Sequence, residues 1–247
     1  MILRRVTQHV KDQNWFAVAL DFIIVVLGVF VGIQLGNWND ARLQAQQQHV
    51  YLERMQADFA SIDERLSEHF VVYDEMIAGA AYLLPLLRMS DEDFADATVD
   101  VAQVSRALNA LSQQRVPPQT SATYLEMLSG GQLSALRNSD LRDRLAAYDR
   151  ALDIMRDISR MSIDTHIRQF PVLQRYFSAQ VVFDDSALSG IRKELLSVDV
   201  AGMRRDPYAE VAIELLETNA YNSLAQRRLQ RDSIRDILAL IEAETGR

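Results

Sequence analysis

The sequence contains no cysteine. That excludes disulfide scaffolds, thiol nucleophiles, iron–sulfur clusters and Cys-ligated zinc. It leaves the compartment open, because reducing and oxidising compartments both host cysteine-free proteins. Glycine and proline are scarce, 9 and 5 in 247 residues, which argues against a collagenous, disordered or turn-rich all-β chain. The four histidines, His9, His49, His69 and His166, are scattered, with neither H-E-x-x-H nor H-x-x-x-H among them. Metal binding is therefore unsupported. No G-x-S-x-G, phosphate loop or dinucleotide fingerprint occurs, and Ser129-Gly130-Gly131 lacks the lysine and preceding strand that phosphate binding needs. With no acid–base or nucleophile constellation to assemble, the chain is expected to be non-enzymatic and free of cofactors. Positive charge is also in deficit, 26 Lys+Arg against 34 Asp+Glu, so no nucleic-acid partner is expected.

What the sequence does have is one long apolar run. Trp15 to Leu35 reads WFAVALDFIIVVLGVFVGIQL, with one acid, Asp21, and one amide, Gln34. As a helix these residues span roughly 30 Å, the thickness of a bilayer's hydrocarbon core. Trp15 and Trp38 flank it where indole rings favour the headgroup zone. A cleaved secretory signal would need a small-residue site after the run, and Gln34 to Asp40 offers none, so an uncleaved anchor over residues 15–38 is expected. The flank at 1–14 carries Arg4, Arg5 and Lys11, against Arg42 and Arg54 on the far side. The positive-inside rule then predicts a cytoplasmic N-terminus and a periplasmic domain over 39–247.

Beyond the run the pattern is helical. Leu52, Met55, Phe59, Ile62, Leu66, His69, Tyr73, Met76, Ala80 and Leu83 alternate three- and four-residue spacing, a coiled-coil-like heptad seam with His69 as its polar member. Pro85 is expected to end or kink this helix. Ser90 and the acids after it predict a new start, with a helix over Phe94–Leu111 broken by Val116-Pro117-Pro118. Thr120 or Ser121 is expected to cap a short helix ending at Gly130-Gly131. A long helix follows from Ser139 to about Phe170, with Leu141, Leu145, Tyr148, Leu152 and Met155 on one face. Asp140–Arg144 and Asp164–Arg168 stand at i, i+4 on its solvated side. Val181 to Asp185 reads as a loop or short extended piece. The last helix covers Pro207–Glu244, its apolar stripe interrupted at Gln226–Asp232. The fold class read from this is all-α: one N-terminal transmembrane helix continuing into a periplasmic antiparallel helical bundle.

Asp21, Gly28, Gln34, Asn37, Trp38 and Asn39 form an intramembrane acid, a glycine seven residues on, a glutamine and an N-x-W-N-like exit. A second block comprises Thr123, Tyr124, Glu126, Ser129, Gly131, Leu133, Asn138, Leu141, Arg142, Leu145 and Tyr148. Together these resemble a bacterial family of single-pass membrane proteins known only as a domain of unknown function. The resemblance implies topology and no catalytic residues. The chain departs from the family's pattern at Asp21, where glutamate is commoner, at Gly36, where asparagine is commoner, and at Asp149, where a tyrosine is usual.

Three sets of residues are candidates for function. Asp21 lies roughly 9 Å inside the span, either as an interfacial or protonated acid paired with another helix, or as an ion-coupled carboxylate of a stator-like subunit. Gly28, Gly32 and Gly36 make overlapping G-x-x-x-G motifs on one face, with Gln34 able to add an interhelical hydrogen bond, a face suited to a second copy or another membrane protein. Thr123, Tyr124, Glu126, Asn138, Arg142 and Tyr148 form either a structural corner or a ligand pocket. The expected function is a membrane-anchored interaction or scaffold protein. The alternative is an extracytoplasmic sensing or accessory domain that signals through the anchor.

Overall fold

The computed structural model describes residues 15–115, 120–183 and 191–246. The element order is α1 (Trp15–Leu87), α2 (Asp91–Asp96), α3 (Val101–Leu111), α4 (Ala122–Ser129), a 3-10 turn at Leu133–Ala135, α5 (Ser139–Leu173), β1 (Phe177–Phe183), β2 (Ile191–Val198), α6 (Val200–Arg205) and α7 (Pro207–Thr245). The protein is mostly all-α, and among the described residues one two-stranded hairpin is the exception. It divides into two compact units, Met1–Tyr51 and Leu52–Arg247, with the boundary inside α1.

In the first unit, α1 is a bare helix: every residue from Ala19 to Gln47 is exposed. In the second unit the heptad seam is internal. Leu52, Met55, Phe59, Ile62, Leu66, Tyr73, Met76, Ala80 and Leu83 are all buried, and so is His69. Folding claims such residues first, because each buried Leu, Ile, Met or Phe contributes about 1.5–3 kcal/mol. Side-chain contacts give the directions of the long helices. Arg231 reaches Asp63 while Arg88 reaches Glu210, so α7 runs antiparallel to α1. Tyr148 meets Gln230 while Ser162 meets Ser223, so α7 is antiparallel to α5 as well. The seam of α1, the Leu141–Met155 face of α5 and the Ala209–Ile241 stripe of α7 are all buried, and Tyr73 to Leu83 of the seam share a core with Ala209 to Leu224.

The termini of these elements follow local chemistry. The Ser90 hydroxyl accepts from Asp93 N at 3.1 Å and caps α2, with Asp91, Glu92 and Asp93 in its first turn. Ser121 caps α4 by accepting from Tyr124 N. The same helix ends on Gly131 at φ +66°, with Gln132 N bonded to Met127 O and Gly131 N to Leu128 O, a Schellman closure that needs a left-handed residue. Asn138 caps α5, and Asp206 caps α7 ahead of Pro207.

Several expectations are corrected. Pro85 does not end α1, which continues to Leu87. It lies in the last turn, where one lost backbone bond matters little. The single helix expected over Phe94–Leu111 is two, separated by extended residues from Ala97. The β-branched Thr98 and Val99 favour extension, and the Asp100 carboxylate starts α3 afresh by accepting from Ala102 N and Gln103 N. The Val116-Pro117-Pro118 break lies outside the described residues. Arg144 pairs with Asp236 of α7 at 3.2 Å, whereas Asp164–Arg168 does form within α5. The extended piece starts earlier than Val181: β1 pairs antiparallel with β2 from Phe177↔Val198 to Phe183↔Ile191, with a bulge between Ser178 and Ala179. Phe177, Leu195 and Val198 pack partly on the core, which holds the hairpin down. The last helix loses no continuity at Gln226–Asp232, because Arg227 and Gln230 are buried in line with its apolar stripe.

Candidate functional site

Three places in the structure carry the candidate residues. On the bare part of α1, Asp21, Gly28, Gly32, Gln34, Gly36 and Trp38 are all exposed. Leu20 through Leu35 present large apolar side chains that no described residue covers; Phe22 is 69% exposed and Leu35 61%. A Cβ added at Gly28, Gly32 or Gly36 would meet nothing within 4 Å, so no packing among the described residues asks for glycine there. This is the one helix among the described residues long and apolar enough to cross a membrane. Trp15 opens α1, and its side chain lies outside the described residues, as does the whole of residues 1–14 with Arg4, Arg5 and Lys11.

The second place is the corner around α4. Asp58 of α1 accepts from the Ser121 hydroxyl at 2.8 Å and from Thr123 N at 2.9 Å. Burial pushes its carboxyl up, but these donors and the nearby Arg54 outweigh that and hold it below the ordinary value. Glu126 pairs with Arg54 at 2.5 Å. The pair is half exposed and contributes about 0–1 kcal/mol. Tyr124 is buried, Asn138 caps α5, Arg142 donates to the Leu136 carbonyl, and Tyr148 packs edge-on against Phe59. Each of the six residues thus has a structural task. Thr123, Glu126 and Tyr148 fasten α4 and α5 to α1, whereas Asn138 and Arg142 make local bonds at the start of α5.

The third place was not singled out by the sequence. Inside the second unit, Arg227 is 2% exposed, Gln230 0%, Tyr148 3% and His69 8%. Arg227 donates to Gln230 Oε1 at 3.2 Å and to Ser159 Oγ at 3.3 Å, and Gln230 in turn donates to the Tyr148 hydroxyl at 3.0 Å. Burial pushes the Arg227 guanidinium down, opposed by the Tyr73 and Tyr148 oxygens. Burial also brings His69 down to about 4, helped by Arg227, Arg115 and Arg65, so its imidazole is neutral at neutral pH. The sequence signal was available: Arg227 and Gln230 continue the three-and-four spacing of the stripe that the charged run was read as interrupting.

One groove, about 480 Å³, opens where α3 crosses α1 at Gly79. Glu75, Gln103, Arg106 and Gln113 line it together with Ala78, Tyr82 and Ala110. Among the described residues no group of three or more His, Asp or Glu could hold a metal. Comparisons with family models, curated proteins and solved structures give no match for this chain.

Proposed function

We propose that the chain is a non-enzymatic, membrane-anchored interaction protein of a bacterial inner membrane. In this reading residues 15–38 cross the bilayer, the N-terminus is cytoplasmic and the helical bundle is periplasmic. One observation carries it. A run of large apolar side chains stands uncovered along α1, while the bundle keeps its own heptad seam for its core. A lipid bilayer is the solvent that such a run requires. The glycine face at 28, 32 and 36 then has no use inside the chain and is free for a second copy or another membrane protein.

Orientation is the part most open to direct test. A reporter active only in the periplasm, fused after Arg247, is expected to be active. Activity of a cytoplasm-only reporter at the same position would overturn the topology, and with it the proposal that the bundle meets its partners outside the cytoplasm.

A further inference from the structure

We propose that the buried polar layer around Arg227 is an internal binding site for a small monovalent inorganic anion of chloride size. A guanidinium stays protonated at any ordinary pH, so burying one without an opposite charge is costly. Its hydrogen-bond partners are all neutral, Gln230, Ser159 and the Tyr73 phenol, and Tyr148 is the other group close enough to act on its charge. Asp63, further along α1, is already held by Arg231 at 3.0 Å. Two buried nitrogens in this layer, Arg227 Nε and His69 Nδ1, have no hydrogen-bond partner among the described residues. Buried polar atoms are ordinarily satisfied, and an orphaned pair of this kind marks a place for a water or an ion. Here the sign of the charge decides between them. His69 feels Arg227 from α7, Arg115 from the segment after α3 and Arg65 from its own helix, all cations, in a protein whose net charge is −8. Guanidinium N–H, imidazole N–H and the Tyr148 hydroxyl are all donors, and an anion accepts from each.

The site is linked to protons. An anion beside His69 favours the imidazolium over the neutral ring, so by reciprocity protonation of His69 tightens the anion.

The test uses the full chain in mild detergent, melted at constant ionic strength while sodium gluconate is replaced by sodium chloride. The melting temperature of the wild type is expected to rise by several degrees in chloride, and to rise further at about pH 5 than at about pH 8. Arg227→Met is expected to lose the dependence on chloride. His69→Leu is expected to keep some of it and lose the pH effect. Should Arg227→Met fail to fold, chloride-35 line broadening on the wild type decides the matter, with saturable broadening reversed by nitrate as the supporting result. Equal melting in chloride and gluconate, without saturable broadening, overturns the proposal. So does a chloride effect that survives intact in Arg227→Met, which would put the anion elsewhere.

Discussion

His69 occupies a seam position that a leucine would fill more simply, and its chemistry has a measurable consequence. The unfolded side chain takes up a proton near 6.5, whereas the folded one does so only near 4, because burial and the surrounding arginines disfavour the charge. Between those values the unfolded state binds more protons, so stability falls as pH drops from about 6.5 toward 4. Thermal melts of the full chain across this window are expected to show a steeper loss for the wild type than for His69→Leu. Identical slopes would mean that the imidazole reaches solvent. Asp58 behaves in the opposite sense to its own burial. Its depressed carboxyl contributes stability that is complete above the ordinary carboxylate range and is lost only as pH falls through it.

At the scale of elements, α3 lies close against α1 at Gly79. A Cβ at Gly79 would stand 3.0 Å from the Ala107 carbonyl oxygen and 3.1 Å from its Cα, both backbone atoms that cannot swing aside. Gly79→Val is therefore expected to destabilise the chain by about 1–3 kcal/mol, read as a lower denaturation midpoint at unchanged slope. A neutral result would show that α3 can shift on α1. This contact was invisible in the sequence, where Gly79 is only a gap between Met76 and Ala80. Helix starts were far more legible: Ser90 and Ser121 act as caps and α5 starts at Ser139, since capping depends on neighbours three residues away. Asp100 obeys the same rule but was hidden inside a run read as continuous helix.

For the whole molecule the question is what meets the glycine face. Much of the seam is buried in the bundle, so on the proposed membrane reading the exposed glycine face of α1 is the surface to test for association. Gly32→Leu is expected to weaken self-association of the full chain in detergent, by light scattering, while leaving the melting of the bundle unchanged. A monomer both before and after the substitution removes the second copy as partner.

The sequence by itself determined the apolar run, the heptad seam, the helix caps and the all-α class. Each rests on interactions within a few turns of one element, on periodicity or on solvent preference. Only the tertiary structure decided that the seam faces inward, that Thr123 to Tyr148 is a fastening corner, and that Phe177 to Val198 forms a hairpin. The same holds for Arg227, whose meaning changes with its surroundings. On an isolated helix it belongs to a charged interruption of the stripe. Between α1, α5 and α7 it is a buried cation, because Tyr73 and Ser159, both distant in sequence, close around it together with Gln230 on its own helix.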